Sequence, residues 1–420
     1  MATDTIDPVK LDINNLDKSD WKTYRFDEIA QNISERVDPN DTDLEVYVGL
    51  EHLDSESLHI MRHGSPDDVN GTKLRFYKGD IIFGRRRAYQ RKAGIATWDG
   101  FCSAHALVLR ANPDVIDRDL FPFFIHSDLF MNRAVDISVG SLSPTINWGT
   151  LKHQEFSIPP LYKQKEILKP LESLNIFLEQ DDKTLNQLDI ALNTYIKQVI
   201  NSHITETKTK KFNAKSLFQT RREEREYPEN WKYELLKNVI SDVQSGFAEG
   251  KRDPDGIPQL RMNNVTRDGR IDLTKIAMIP ERQNIERYTI ELDDVMFCNT
   301  NSEDLVGKSI IANDSLKGFT FSNHFTRLRP IKEKLLPKFL YIWLKYHFDI
   351  GVFESKCTKW VGQAAVQNET LLRLYIALPP IDEQTKACKL VNELELNIDK
   401  LKDRIKVSKL LERSIINRIF

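Results

Sequence analysis

Two short stretches decide the fold: residues 157–167 read SIPPLYKQKEI, and residues 377–387 read ALPPIDEQTKA. Proline fixes φ, lacks a backbone N–H and pushes the preceding residue out of the helical region. At the first turn of a helix the missing donor has no cost, because that N–H has no intrahelical partner in any case. Each Pro-Pro pair therefore predicts the end of a short strand and the start of a helix.

The two pairs also mark an internal repeat, since Pro159 and Pro379 lie 220 positions apart. Three further landmarks recur in the same order. They are a Trp-Lys opening at Trp21 and Trp231, an acidic-then-apolar segment (KGDIIFG from residue 78, LDDVMFC from residue 292) and a third segment (FCSAHALVLR from 101, FSNHFTRLRP from 321). Such a repeat indicates one structural unit used twice. Short β-rich runs alternate with turn residues in each half, which predicts an α+β fold with two pseudo-repeated domains of mixed α/β and twisted sheets.

A helix with an apolar seam is predicted after each Pro-Pro pair, because apolar residues recur in steps of three and four. The predicted seam consists of Ile167, Leu171, Leu174, Leu178, Leu185, Leu188, Val391, Leu394, Ile398, Leu401 and Ile405. Each helix has on the order of 40 residues and is about 60 Å long. The seam favours two antiparallel, coiled-coil-like helices, but two surface helices each packed on its own domain would give the same periodicity. Asp181 interrupts the first seam, and Pro170 predicts a kink or a restart one turn into the helix.

These signals predict six segments. They are an N-terminal tail at 1–20, a first recognition domain at 21–160, a central spacer helix at 161–203, a charged linker at 204–230, a second recognition domain at 231–378 and a C-terminal spacer helix at 379–420.

Composition restricts the class of protein. The chain has 420 residues and a formal net charge of −2, which disfavours a non-specific DNA coat but permits a local basic groove. Its four cysteines form no CxxC pair, so we expect neither a disulfide framework nor a zinc site. The first twelve residues, MATDTIDPVKLD, are acidic and polar, so we do not expect a signal peptide, and no apolar run approaches the roughly 18–20 residues of a membrane span. We therefore expect a cytoplasmic protein without a membrane partner.

Catalytic motifs are missing from the sequence. It has no Gly-rich nucleotide loop, no GxSxG, no HExxH, and no Asn or Asp before Pro-Pro-Tyr or Pro-Pro-Phe, the tetrapeptide of amino-directed DNA methyltransferases. His105 and His324 fall at matching places in the repeat, each assigned to a strand. Each is either a base or phosphate contact or, as we favour, a half-buried histidine bonded to a backbone carbonyl.

The segment GRRRAYQRK, residues 84–92, is the strongest chemical signal. Arginine can donate two hydrogen bonds to guanine, Gln can pair with adenine, and further cations can hold phosphates. The residues concerned are Arg85, Arg86, Arg87, Tyr89, Gln90, Arg91 and Lys92. The segment therefore predicts a DNA contact, although a solvated charged hairpin remains the alternative.

The second half has an amide-rich surface at the same landmark. Its candidate DNA contacts are Arg261, Asn263, Asn264, Asn299, Asn301, Ser302, Lys308, Lys359, Gln363 and Gln367, and a late loop of the first half adds Ser143, Thr145 and Asn147. Asn and Ser are also common turn residues, so each of these has a structural alternative. Different loop chemistry on one scaffold is what two readers of different DNA sequences need.

The order of these features resembles the specificity subunit of type I restriction–modification systems. The resemblance covers residues 21–420, and the duplicated Pro-Pro-x₃-Gln with its helix is the most specific part. Gln164 and Gln384 are the matching glutamines. The family pattern has Glu before this Gln; Glu383 keeps it, whereas Lys163 departs from it.

The resemblance implies a function for each part. Each domain would read one half of a bipartite site in double-stranded DNA, and the two helices would set the spacer and dock two methyltransferase subunits. Those partners would bind S-adenosylmethionine, and two restriction/translocase subunits using ATP and Mg²⁺ could join. The chain itself would be non-catalytic and without a cofactor or metal. Two alternatives are a protein-binding scaffold and a DNA-modifying enzyme with an unrecognised active site.

Overall fold

The computed structural model describes residues 15–201, 209–215 and 222–420, and it divides into two units. The first unit comprises residues up to 184 together with 401–420, and the second comprises residues 185–400. The division falls inside each long helix, so each of these helices contributes one segment to each unit.

The first unit combines short strands with short helices and with one segment of each long helix. Its strands are β1 (Lys22–Arg25), β2 (Ala30–Ile33), β3 (Arg36–Val37), β4 (Tyr47–Val48), β5 (Lys73–Phe76), β6 (Ile81–Gly84), β7 (Ala93–Ile95), β8 (Gly100–Cys102), β9 (Ala106–Ala111) and β10 (Glu155–Ile158). Its helices are α1 (Phe26–Ile29), α2 (Phe121–His126), α3 (Asp128–Asp136), α4 (Trp148–Leu151), the first part of α5 (Leu161–Ile200) and the last part of α8 (Ile381–Ile419).

The second unit repeats this order. Its strands are β11 (Thr209–Lys215), β12 (Arg222–Pro228), β13 (Lys232–Leu235), β14 (Ile240–Ser245), β15 (Ile257–Leu260), β16 (Ala277–Ile279), β17 (Val295–Cys298), β18 (Thr300–Asn301), β19 (Ser309–Ile311), β20 (Thr320–Phe321), β21 (Phe325–Pro330), β22 (Thr358–Trp360), β23 (Gln363–Ala365) and β24 (Tyr375–Leu378). Its helices are the last part of α5, α6 (Pro337–Asp349), α7 (Asn368–Leu372) and the first part of α8. Among the described residues, no helix is both long and apolar enough to cross a membrane.

The predicted linker at 204–230 differs from the structure. Strands β11 and β12 pair antiparallel and form a hairpin within it, while residues 202–208 and 216–221 lie outside the described residues. Runs of consecutive charged residues conceal this pairing in the sequence, because they lack the alternation of apolar and polar residues that predicts a strand.

Sheet topology confirms the predicted α+β repeat. The order β2-β9-β6-β7 in the first unit corresponds to β14-β21-β17-β19 in the second. Each unit also has one short parallel pair, β4 with β8 and β15 with β20. The strand after the Trp-Lys opening pairs antiparallel with the strand before the Pro-Pro pair, β1 with β10 and β13 with β24. Residues far apart in sequence therefore meet at the base of each long helix.

The long helices help to form the core of each unit. In the first unit, Ile167 and Leu171 of α5 share an apolar cluster with Ile416 and Ile419 of α8. In the second unit, residues 196–200 of α5 share a cluster with residues 387–391 of α8. Of the predicted seam residues, Ile167, Leu171, Leu178, Val391, Ile398, Leu401 and Ile405 are buried, and Leu174, Leu185, Leu188 and Leu394 are partly exposed.

The interruption at Asp181 has a specific partner. Arg404 of α8 forms a two-pronged ion pair with this carboxylate, with Nε 2.8 Å from Oδ2 and Nη2 bonded to Oδ1. Asp181 is 4% exposed, and the Arg404 guanidinium also lies over the Phe177 ring. A buried carboxylate needs a counter-charge, and this pair joins the two helical segments within the first unit. Helix α5 is continuous through Pro170, so the predicted restart does not occur.

The first Pro-Pro junction is fixed by the buried amide of Gln164. Its Nε2 donates to the carbonyl oxygens of Pro159 (2.7 Å) and Val115 (2.8 Å), and its Oε1 accepts from the backbone N–H of Asp117 (2.5 Å). The side chain is completely buried. One amide thus joins the end of a strand, the start of α5 and the loop before α2.

Gln384 makes the same three bonds in the second unit. Its Nε2 donates to Pro379 O and Lys334 O, both at 2.9 Å, and its Oε1 accepts from Leu336 N at 3.0 Å. It too is completely buried. The motif Pro-Pro-x₃-Gln is therefore a structural device that attaches the long helix to the loop preceding the domain helix.

We expect Gln384→Leu to destabilise the second unit by about 3 kcal/mol, because one donor and two acceptors would be left buried without partners. Gln164→Leu should have a similar effect on the first unit. Chemical denaturation of the full chain would measure the loss. The matched control is Lys386→Leu, at an exposed position of the same helical turn; equal stability of the two leucine variants would contradict the proposed role of the amide.

His126, at the end of α2, gives the first unit a pH dependence. Its Nε2 lies 3.0 Å from the Ala93 carbonyl oxygen. Desolvation is the main cause that lowers the pKa of His126 to about 4. The charges of Arg91 and His59 also lower this pKa, whereas the hydrogen bond to Ala93 raises it. Folding therefore favours the neutral ring, and the resulting stability is present above pH 6.5 and is lost as the pH falls toward 4.

His126→Gln should flatten the pH dependence of stability between pH 6.5 and 4, because glutamine keeps a donor but does not titrate. The difference from the parent should be at most about 1.4 kcal/mol per pH unit. Thermal unfolding across this range would measure it, with His63→Gln as the control at an exposed histidine. Parallel curves for the parent and His126→Gln would refute the assignment.

Candidate nucleic-acid interface

Strands β6 and β17 position the candidate loops, and a buried aspartate begins each strand segment. Asp80 accepts from Arg110 on β9, with its Oδ1 2.7 Å from Nε, and Asp294 accepts from Arg329 on β21, with its Oδ1 2.5 Å from Nε. Both aspartates are about 2% exposed. These ion pairs hold the same two neighbouring strands in each unit, so the loops that follow β6 and β17 leave the sheet at equivalent points.

A groove of about 410 Å³ lies beside the loop after β6 in the first unit. The loop turns through residues 88–90, and the flanking Arg87 (φ 57°) and Arg91 (φ 50°) adopt left-handed conformations that non-glycine residues rarely take. Arg86, Arg87 and Tyr89 are exposed as a result. The groove is lined by Leu50, Glu51, Arg86, Arg87, Gln90, Lys92, Ser103 and His105.

The late loop of the first unit, residues 139–145, is attached to this arginine loop. Arg86 forms a β-bridge with Thr145, and its Nε donates to Ser143 Oγ at 2.9 Å. The Arg87 backbone N–H donates to Pro144 O at 2.8 Å. The predicted contacts Ser143 and Thr145 are thus next to the arginines, and Asn147 is exposed just before α4.

Arg91 does not face the groove, which corrects its prediction as a DNA contact. Its guanidinium lies 2.6 Å from Asp128 Oδ1 and 3.5 Å from Glu56 Oε1, and its side chain is only 15% exposed. Arg413 of α8 binds the same two carboxylates. Arg91 therefore stabilises the first unit. Lys92 lines the groove, but its Nζ already donates to Leu50 O at 2.8 Å.

The second unit has a groove of about 410 Å³ at the equivalent place, beside the end of β17. Its lining is uncharged except for one carboxylate and comprises Ser245, Asn299, Thr300, Asn323, Ala365, Val366, Gln367, Asn368 and Glu369. A chain of hydrogen bonds orders these groups: Asn368 donates to Ser245 Oγ, Thr326 Oγ1 donates to Asn368 Oδ1, and Asn299 Nδ2 donates to Thr326 Oγ1, all between 2.7 and 2.9 Å.

Three residues of the second unit that were predicted to contact DNA, Lys308, Asn264 and Asn301, are buried and bond other parts of the protein, which corrects those predictions. Lys308 is 4% exposed, and its Nζ donates to Met262 O at 2.7 Å and to Val265 O. Desolvation lowers the pKa of Lys308, opposed by Cys298 and Asp304.

Two asparagines belong with it. Asn264 donates to the carbonyls of Asp272 and Lys275, and Asn301 donates to Cys298 Sγ; both side chains are buried. The sequence around these residues is polar, so it does not indicate that their side chains are buried.

The remaining candidates of the second unit lie outside the groove lining, apart from Asn299 and Gln367. Lys359 and Gln363 are exposed on the β22–β23 hairpin, where Lys359 pairs with Glu303. Asn263 is exposed, and Ser302 bonds Asp304 at 2.7 Å. Arg261 donates to Gln259 and to Glu249 O, and burial lowers the pKa of its guanidinium, assisted by the charge of Arg252 and opposed by Glu249.

His105 and His324 occupy equivalent turns, each one residue before β9 or β21, rather than strand positions as predicted. His105 is exposed and lines the first groove. His324 is partly buried, and desolvation lowers its pKa, assisted by the charge of Arg261. The same turns contribute Ser103 and Asn323, which sequence reasoning missed although they stand beside the two histidines.

The two grooves offer different chemistry on one scaffold. Arginine and lysine in the first can hold phosphates or bind guanine, whereas amides and hydroxyls in the second can pair with adenine or with other base edges. Among residues 15–201, 209–215 and 222–420, no group of three or more His, Cys, Asp or Glu side chains is placed to hold a metal ion.

Comparison with known proteins gives relatives of one kind. The chain is 27% identical over 184 residues to the type I restriction enzyme EcoDI specificity subunit of Escherichia coli, which is 43% of this chain and 41% of that relative. It is 25% identical over 349 residues to the StySPI specificity subunit of Salmonella potsdam, covering 81% of this chain and 70% of that relative. The chain thus spans less than half of the first relative and more than two thirds of the second.

A solved structure supports the fold. The type I restriction–modification system S subunit from M. genitalium superimposes with a TM-score of 0.56 at 14% identity, covering 97% of this chain and 98% of that one. The family model for the type I restriction modification DNA specificity domain matches residues 18–190 and 244–408. Each matched range includes one groove and its Pro-Pro-x₃-Gln motif. The chain therefore belongs to the type I restriction modification DNA specificity family, with two copies of the domain.

Proposed function

We propose that this chain is the sequence-reading subunit of a type I restriction–modification complex and that each unit binds one half of a bipartite site in double-stranded DNA. The observation that carries the proposal is the pair of equivalent grooves with different linings. A single continuous site would not require the same groove twice. Because the linings differ, we infer that the two half-sites differ in sequence.

In the first unit, Arg86, Arg87 and Gln90 are the principal contacts, with Arg85, Tyr89, Lys92 and His105 beside them. In the second, Asn299, Gln367 and Asn323 take this role, and Lys359 and Gln363 approach the DNA from the hairpin. Arginines of the first groove hold phosphates or guanine edges, and the ordered amides of the second pair with base edges. The second half-site is therefore bound with less counterion release than the first.

Helices α5 and α8 serve as the spacer between half-sites and as the docking surface for two methyltransferase subunits. Half-site readers must be held at a fixed distance and helical phase along the duplex. Exposed apolar residues on the outer faces of the helices support a docking role: Ile176, Ile190, Leu396, Val407 and Leu410 are each more than half exposed. Exposed apolar side chains of this kind can be covered by a protein partner.

We propose that chemistry belongs to the partners in the cytoplasm. The methyltransferase subunits bind S-adenosylmethionine and methylate adenine after extruding it from the duplex, and restriction/translocase subunits use ATP and Mg²⁺. This chain supplies specificity without a cofactor of its own. Two of its thiols are poor candidates for a nucleophile, because burial raises the pKa of Cys102 to about 12 and that of Cys388 to about 11.

Single-molecule methylation mapping of the host genome, with and without this gene, tests the proposal directly. Deletion should remove one split, adenine-methylated motif, because no other subunit would position the methyltransferase. Reintroducing the gene is the control and should restore the same motif. If no motif changes while the methyltransferase is expressed, the chain has no role in modification. Methylation by the purified chain alone would indicate an active site within it.

The double substitution Arg86→Ala/Arg87→Ala should weaken DNA binding by the assembled complex and reduce the slope of log K against log salt by about two. Each lost phosphate contact removes close to one counterion. Fluorescence anisotropy across a salt series measures the slope.

The matched control removes a buried cation instead. Lys308→Met should leave the slope unchanged but lower the thermal midpoint, because Met262 O and Val265 O lose their donor. A slope that falls for Lys308→Met and stays constant for the arginine variant would reverse the assignment.

A further inference from the structure

Two loop tips expose apolar side chains to solvent. Leu142, in the 139–145 loop of the first unit, is 93% exposed. Trp360 and Val361, at the tip of the β22–β23 hairpin in the second unit, are 56% and 105% exposed. Large apolar residues at a loop tip lose the stabilisation that burial would give them, roughly 1.5–3 kcal/mol each.

The two tips occupy equivalent positions. In the first unit, Thr145 forms bridges both to Arg86, after β6, and to Val139. In the second, Ala365 pairs both with Thr300, after β17, and with Thr358. Each loop is thus joined to the segment that lines the groove of its own unit, although the two loops differ in length and sequence.

Turn chemistry does not account for these residues. Glycines occupy the left-handed positions of these turns, Gly140 (φ 118°) and Gly362 (φ 78°). Polar residues at the neighbouring positions would form the turns equally well. Val361 is β-branched and makes the Trp360–Gln363 hairpin connection with Gly362.

We propose that Leu142 in the first unit and Trp360 with Val361 in the second are wedges that enter the base stack of duplex DNA, one in each half-site. This inference rests on the proposed function. Apolar wedges such as Leu partly unstack a base step and bend the duplex. Arg86, which bonds Ser143, stands next to the first tip, and Lys359, which pairs with Glu303 at the surface, stands next to the second; both can hold the adjacent phosphates.

The shared character of the tips favours unstacking over base reading. The groove linings differ between the units, as readers of different sequences must, whereas both tips are apolar. What both tips do is therefore common to the two half-sites and independent of their sequence. Opening a base step is such a common task. Extruding a target base costs a few kcal/mol of unstacking and unpairing, and a step that is already open reduces this cost.

The test uses the assembled complex with its methyltransferase subunits and a duplex carrying the mapped motif. The fluorescent base 2-aminopurine replaces one base in either half-site, where unstacking raises its emission. Leu142→Ser should reduce the emission increase at one half-site to near the value of free DNA, and Trp360→Ser/Val361→Ser should do so at the other. The ranking of DNA sequences by affinity should stay unchanged for both variants.

Matched controls remove exposed apolar residues elsewhere in each unit: Leu129→Ser (40% exposed) in the first and Ile350→Ser (54%) in the second. Both should give the parental emission. Parental emission from the tip variants would overturn the wedge, as would equal loss at both half-sites or loss of subunit assembly. If the parent complex itself fails to bind the bipartite site, the proposed function is wrong. If the parent complex binds and the tip variants behave as the parent does, the proposed function stands and only the wedge is wrong.

Discussion

The buried amide of a glutamine five residues after the first proline is the constraint on which each unit depends. Three backbone segments meet at Gln164 and at Gln384, and in both cases the amide provides the hydrogen bonds that those segments lack. A leucine of similar size would fill the space but leave polar groups buried. The direction in which each long helix leaves its domain is therefore fixed by one side chain.

The departure at Lys163 shows how the two junctions diverge without loss of structure. In the second unit, Glu383 accepts from the indole of Trp231 at 2.9 Å and from Asn230 at 2.7 Å. In the first, Lys163 donates to Asp20 at 2.7 Å, and no described residue accepts from the Trp21 indole N–H. Exchanging the carboxylate and its partner across the junction keeps the contact, but Trp21 lacks the carboxylate acceptor that Trp231 has.

Local physics decides which parts of this structure could be predicted from the sequence. The Pro-Pro stops, the helix seams and the order of the repeat follow from backbone geometry and periodicity, and the observed helices begin within two residues of the Pro-Pro pairs. Arg91 and Lys308 could not be assigned in this way. Their roles depend on Asp128 and on the carbonyls of residues 262 and 265, which only the tertiary fold brings near.

Burial separates the residues that build the scaffold from those that can vary with the DNA sequence. Two ion pairs, Asp80–Arg110 and Asp294–Arg329, occupy matching positions in the two units, and so do the two glutamines. The aspartates and the glutamine side chains are buried. The groove residues differ between the units and are mostly exposed or partly exposed. Surface substitutions usually change stability by less than about 0.5 kcal/mol, so the loops can change while the strands and helices that position them stay the same. Arg91 marks the limit of this freedom, because this cation of the loop after β6 forms ion pairs with Glu56 and Asp128.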